Sequence, residues 1–416
     1  MKEPIIVLVG FTLAAVNSLQ NMEEKYRVLI IEEPDVIRKR NINTLIKNKD
    51  VIYDLVSFEY QKSYAPDQLF ASLQHLNVVS VAPAVEYATT CAARLAERFN
   101  LPGASFGASL ILRDKSVLRR VTSAYGVLNP LSQSVTAFEE ANDFMMNHPG
   151  GVVLKPSNRQ GSVGTVIVHE LQDLHQAWNQ SQLRDEGVMV PDRVFNSETL
   201  IEEFVVGKEY SVEALIKDSK MVFSNVTQKI LFSGVRPVEQ GHIVPALIDK
   251  SLKEALINQT QKVIQAVGFE NGVVHCEWIN ADKGLYLVEC AGRFAGDGIV
   301  ELIERAYDYD LVKNYHRLLR NQTIDLPPEV NKRWALVHFY AGRDGELSHA
   351  NIDNELLKQL DCFNFSLSVT EGQKTSCPSS SWDRLGSVMV LADTEESIRY
   401  KSFEITKTVE FVYKDI

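Results

Sequence analysis

Three short, continuous apolar runs near the N-terminus constrain this chain most: Ile5-Ile6-Val7-Leu8-Val9, Arg27-Val28-Leu29-Ile30-Ile31 and Asn77-Val78-Val79-Ser80-Val81. Runs without polar alternation, separated by stretches of helical texture, predict a parallel sheet covered on both faces. After the third run, Tyr87, Cys91, Leu95 and Phe99 recur at four-residue steps. That spacing marks the buried face of a helix, which ends near Leu101-Pro102-Gly103. The first run is too short to span a membrane and lacks the longer apolar stretch of a secretory signal, so it reads as a first strand.

From about residue 111 the texture changes to helices followed by hairpin-forming strands, Val152 to Pro156 with Gly164 to His169 and Tyr210 to Ile216 with Val222 to Thr227. This is an α+β pattern after an α/β one. Beyond residue 316, strand-like runs at Trp334 to Phe339 and Ser387 to Leu391 flank the polar stretch Thr375 to Ser381, which suits a mobile loop in a smaller α+β domain. A chain of 416 residues is too long for one simple core, and the expected division is 1–110, 111–315 and 316–416. The net charge of -11 argues against nucleic-acid or anionic-membrane partners, so an anionic nucleotide must be met by local basic groups. Cys91, Cys276, Cys290, Cys362 and Cys377 show neither a C-x-x-C pair nor a short metal-ligand spacing, which fits a reducing cytoplasm rather than a disulfide framework or a zinc site.

The segment from Gly272 to Glu289 reads as two strands around Asp282-Lys283-Gly284, a three-residue hairpin loop. That loop pairs Ala281 with Leu285, and counting back by twos sets Glu277 opposite Glu289. Two carboxylates so opposed repel by about 3 kcal/mol at an effective dielectric near 20. A shared Mg²⁺ would relieve this, as would an unseen Lys or Arg partner or full solvation of both acids. Downstream, Arg293 among Gly292, Gly296 and Gly298 can clamp a carboxylate or phosphate, although a glycine turn with a surface arginine reads the same way.

Lys155-Pro156-Ser157-Asn158-Arg159-Gln160-Gly161-Ser162-Val163-Gly164 lies between two strand-like runs, where free N–H groups can cradle phosphates; it is not a P-loop. Lys115 opens the helix that holds Val117, Leu118, Val121 and Tyr125. Leu200 to Ser211 mixes apolar and acidic residues beside Gly207, a texture that suits adenine and ribose. Glu239-Gln240-Gly241-His242 reads as a loop that pairs an acid with a histidine.

In this order the elements resemble the ATP-grasp superfamily, and within it the L-amino-acid ligase branch of the bacilysin synthetase type. The resemblance covers residues 80 to 300 in motif detail and the whole chain in architecture. It implies an ATP-grasp fold: a Rossmann-like N-terminal domain over 1–110, a nucleotide-binding and catalytic domain over 111–315, and a C-terminal lid or substrate domain over 316–416. It implies ATP contacts from Lys115, Lys155, Gly161, Ser162, Glu209 and the hinge Glu202, Glu203, Phe204 and Val205. Glu239, Glu277 and Glu289 match metal-binding acids for two Mg²⁺, with Mn²⁺ as a substitute. His242 matches a histidine near the acyl phosphate, and Arg293 the arginine that steadies the reacting carboxylate. Glu86, Arg293, Gly296 and Asp297 fall on the substrate side. Many superfamily members carry Asn two residues after the second metal acid; this chain has Ala291, and Glu239 replaces the lost oxygen as in the ligase branch. The implied reaction joins two amino acids through an acyl phosphate with ATP as phosphoryl donor, in a homodimer. The Arg159 to Gly164 loop and part of the third domain would close over the site. Another ATP-grasp reaction, or a nucleotide-binding protein that has lost its chemistry, are the alternatives.

Overall fold

The protein is described here by a computed structural model covering residues 2–414 apart from 23, 25, 183–186, 188–189, 194–197 and 235. Four parallel strands open the chain: β1 (Pro4–Val9), β2 (Arg27–Glu32), β3 (Ile52–Ser57) and β4 (Asn77–Pro83), ordered β3-β2-β1-β4. Strand alternation sends Ile6, Leu8, Val28 and Ile30 into one core and Ile5, Val7, Val9, Leu29 and Ile31 into another, so both faces are covered. The second core also takes Cys91 and Leu95 from the helix Thr89–Arg98, the face marked by the four-residue steps. Strand β3 escapes the apolar-run criterion because it is an edge strand with an exposed Tyr53 and Asp54.

Two antiparallel sheets hold the middle of the chain. The smaller contains β5 (Ser132–Val135), β6 (Val152–Pro156), β7 (Val166–Val168) and β8 (Thr199–Glu203), ordered β5-β8-β6-β7. The larger has eight strands: β9 (Lys208–Lys217), β10 (Lys220–Leu231), β11 (Glu239–Val244), β12 (Gly272–Ala281), β13 (Gly284–Ala291), β14 (Trp334–Ala341), β16 (Cys362–Leu367) and β18 (Arg384–Ala392). Their order is β13-β12-β9-β10-β11-β14-β18-β16, so this sheet takes strands from both sides of residue 316. A last sheet, β17-β15-β19, joins β15 (Gly345–Ile352), β17 (Lys374–Thr375) and β19 (Val409–Tyr413).

Two local readings need correction. Glu239 to His242 is not a loop: it opens β11, where Lys229 pairs with His242 and Gly241 with His338 of β14. A side chain at Gly241 would put its Cβ 2.5 Å from the Val337 carbonyl, so glycine is what lets β14 approach. The hairpin of β12 and β13 turns on two residues, since Ala281 pairs with Gly284 rather than Leu285. A bulge at Val288 then adds the missing residue, and Glu277 pairs with Glu289 after all.

Candidate active site

Around the cavity the eight-stranded sheet turns apolar residues to one face and polar ones to the other. Tyr210, Val212, Ala214, Val226, Val274, Cys276 and Trp278 point into a hydrophobic core. The alternate positions, Glu209, Ser211 and Glu213 on β9, Asn225, Thr227 and Lys229 on β10, and His275 and Glu277 on β12, share the other face. There Glu213 accepts from Ser211 (2.6 Å), Thr227 (2.6 Å), Asn225 (2.9 Å) and His275 Nδ1 (2.9 Å). His275 Nε2 lies 3.0 Å from Glu277. Burial alone would lower the His275 pKa, but the bonds to Glu213 and Glu277 outweigh it and raise it to about 9. His275 is therefore a cation at neutral pH, donating from both nitrogens.

Lys229 answers the repulsion between the acids. Its ammonium lies 3.1 Å from Glu277, 3.3 Å from Glu239 and 3.5 Å from Glu209. Burial opposes a charged lysine here, yet these carboxylates hold its pKa well above the ordinary value. Burial likewise opposes ionisation of Glu277, and Lys229 with His275 pulls its pKa well below the carboxylate range. Glu209, expected at a ribose, stands in this cluster, where burial and the neighbouring acids raise its pKa.

The donor set fits a hard divalent cation. Glu277 and Glu289 are opposed in register, and an ammonium held by three carboxylates marks the position as attractive to positive charge. Among the described residues no three His, Cys, Asp or Glu close into a cage, and Mg²⁺ asks for none, because it commonly takes one or two carboxylates together with nucleotide phosphates.

Helix Lys115–Ala124, capped by the Asp114 carboxylate at Ser116 and Val117, brings in the first lysine. Lys115 sits 3.1 Å from Glu289 and donates to the Arg159 carbonyl at 2.7 Å. Lys155, at the end of β6, pairs with Glu202 at 2.5 Å. Burial lowers the Lys155 pKa, and the Glu202 carboxylate only partly offsets this. Glu202, expected in the hinge facing adenine, is 3% exposed, with one oxygen on Lys155 and the other on Arg119. Glu203 accepts from the Leu131 N–H, and the Phe204 N–H donates to the Gly151 carbonyl. Val205 is half-buried.

Arg293 donates to Glu86 at 2.7 Å, and Arg113 to the other Glu86 oxygen at 2.9 Å. Burial would raise the Glu86 pKa, but the two guanidiniums bring it down to about 2. Both Glu86 oxygens are thus used within the protein, one on Arg113 and the other on Arg293, and Glu86 still lines the cavity. Across the cavity, His242 Nε2 lies 3.1 Å from Asp297, which Arg384 grips through both oxygens at 2.9 and 2.5 Å. Burial opposes the Asp297 charge, and Arg384 and His242 overcome it to depress the pKa far below normal. An ionised Asp297 only accepts, so His242 carries its proton on Nε2. His242 Nδ1 is buried without a partner.

These groups open on one cavity of about 1710 Å³, lined by Glu86, Gly161, Ser162, Lys229, Glu239, His242, Glu277, Glu289, Arg293, Gly296, Asp297 and Arg384 among others. Lys115, Lys155, Glu202, Glu203, Phe204, Val205 and Glu209 are not on its wall. Gly161 and Ser162 both adopt left-handed backbone, and Ser162 donates to the Pro237 carbonyl. Ser381, the last residue of the polar stretch, and Trp382 after it meet this edge, with Ser381 donating to Glu239 at 3.1 Å. Lys229, His275 and Arg384 are absent from the sequence reading. The period-two polar positions of β10 and β12 would have found the first two.

Residues 148–301 match the family of the ATP-grasp domain. The chain carries an ATP-grasp domain. An alanine–anticapsin ligase of Bacillus subtilis is 25% identical over 306 residues, 65% of this chain and 62% of that protein. The chain thus spans about three fifths of the length of the curated relatives it matches first. Among solved structures, L-amino acid ligase from Bacillus licheniformis superposes with a TM-score of 0.78 over 100% of both chains at 14% identity. Phosphoribosylglycinamide synthetase from Anaerococcus prevotii gives 0.69 over 99% of this chain and 100% of that one, at 17% identity. Both share the ATP-grasp fold. Within it, the glutamate pair lies on the matched segment, while Glu86, Lys115 and Arg384 reach the site from outside it.

Proposed function

We propose that this chain is an ATP-dependent carboxylate–amine ligase that joins two L-amino acids through an acyl phosphate and releases ADP and phosphate. The observation that carries the reading is the convergence of Glu277, Glu289, Arg293 and His242 on one cavity. Glu277 and Glu289, with Glu239 beside them, are the residues that would hold Mg²⁺, which supplies charge neutralisation on the phosphate oxygens. Lys115 and Lys155 add positive charge behind the acids for the nucleotide. Arg293, held in direction by Glu86, presents a guanidinium to the carboxylate being activated and to the negative oxygen that develops when the amine adds. His242, its Nε2 held by Asp297, which Arg384 grips in turn, stands on the cavity wall, where its imidazole can serve the attacking amine as base or as hydrogen-bond donor.

The deciding measurement is phosphate release with ATP, Mg²⁺ and all pairs of amino acids, with products identified by mass. Amino-acid-dependent release and a dipeptide mass are expected; ATP turnover that ignores amino acids overturns the reading. In that event a ligase for another carboxylate or amine, in nucleotide, cofactor or secondary-metabolite biosynthesis, takes its place, a reading that the likeness to phosphoribosylglycinamide synthetase favours. His242→Asn is expected to lower ligation by about 10²-fold while ATP affinity holds, because the imidazole serves the amine and not the nucleotide. Parallel losses in both would make His242 structural.

A further inference from the structure

Arg119 touches neither the cavity nor the acid pair, yet its guanidinium joins the Glu202–Lys155 pair to the residue before Glu289. It stands one turn after Lys115 on the same helix, on the same face, and is 3% exposed. Its Nε donates to Glu202 at 2.8 Å, on the carboxylate whose other oxygen holds Lys155. Its Nη2 donates to the Val288 carbonyl at 2.7 Å, and Nη1 reaches Asn129 at 3.4 Å. Val288 is the bulge residue of β13. A bulge leaves its extra residue outside the ladder, and a buried carbonyl so orphaned needs another donor.

The bulge decides where Glu289 points. The two-residue turn at Asp282-Lys283 alone would set Trp278 opposite Leu287 and Glu277 opposite Val288, with Glu289 one residue out of step and on the other face. The extra residue brings Glu289 back opposite Glu277. We propose that Arg119 is a positioning residue with two arms: Nη2 fixes the bulge and so the direction of Glu289, and Nε fixes Glu202 and so Lys155. Arginine alone serves both arms, because a planar guanidinium offers divergent donors where a lysine offers one point charge.

This inference rests on the ligase reading, so its test uses binding as well as turnover. Calorimetric titrations with Mn²⁺ and with a non-hydrolysable ATP analogue are run on the wild type, Arg119→Lys and Glu202→Gln, beside melting curves. Arg119→Lys is expected to weaken both Mn²⁺ and analogue at least about tenfold, since each arm is a charge-assisted or buried hydrogen bond. Glu202→Gln breaks only the Lys155 arm, so it is expected to weaken the analogue about as much while Mn²⁺ affinity holds. If both variants bind both ligands like the wild type, or if Glu202→Gln weakens Mn²⁺ as much as Arg119→Lys does, the two-arm assignment is overturned. Should Arg119→Lys fail to fold, the Glu202→Gln dissociation alone decides. A wild type that binds no nucleotide counts against the ligase reading instead.

Discussion

Glu289→Gln is expected to lower ADP formation by about 10²- to 10³-fold while leaving the melting temperature nearly unchanged. The fold tolerates the change because the lost ion pair with Lys115 is offset by relief of the like-charge contact with Glu277 opposite. Its partner Lys115 keeps a hydrogen bond to the Arg159 carbonyl, so no buried cation is left without an acceptor. Activity should fall because a divalent cation would then lose one of the carboxylates that would hold it, leaving Glu277 and Glu239, both already drawn to Lys229. Glu277→Gln makes the contrast. Glu277 holds both the Lys229 ammonium and the His275 imidazolium, and stripping a buried charge from its partners costs about 3–5 kcal/mol. The pair should therefore separate: similar loss of turnover, stability lost in only one variant. Near-normal ADP release by Glu289→Gln would sink the metal assignment.

What the sequence made legible follows from how far each feature depends on distant parts of the chain. The inner strands β1, β2 and β4 announce themselves because both faces are buried; β3, at the edge, does not. The opposition of Glu277 and Glu289 was reached through a turn one residue too long, and the Val288 bulge restores the count. Turn chemistry is local, whereas the donor that holds the bulge is 169 residues away. The same separation hid Lys229, whose burial among acids depends on four strands, β9 to β12, pairing in register, and Arg384, which reaches Asp297 from 87 residues away. The ion pairs of Glu202 were hidden for a related reason. An acid beside apolar residues at a strand end looks exposed until Arg119 and Lys155 arrive from two other elements to bury it.

Glu86 provides the second large effect, on stability and chemistry together. Its carboxyl is 2% exposed and its pKa is brought down to about 2 from the ordinary 4.5. A depressed carboxylate contributes stability that is present above its unfolded pKa and is lost as pH falls through its folded one. The window therefore runs from about pH 4.5 down to about pH 2, and a shift of this size corresponds to about 3 kcal/mol. Glu86→Gln removes that contribution at every pH. Urea titrations should find the variant weaker by about 3 kcal/mol near pH 7, with the gap closing as the wild type is acidified through the window. A gap that stays constant down to about pH 3 would show that lost packing, not charge, sets the stability. The chemical consequence separates from this one: without Glu86, Arg293 keeps its charge but loses its direction. Oxyanion stabilisation depends on preorganised donors, so kcat should fall about 10²-fold at temperatures where the variant is fully folded. Nucleotide affinity should change little, because neither Glu86 nor Arg293 belongs to the Lys115 and Lys155 side of the site.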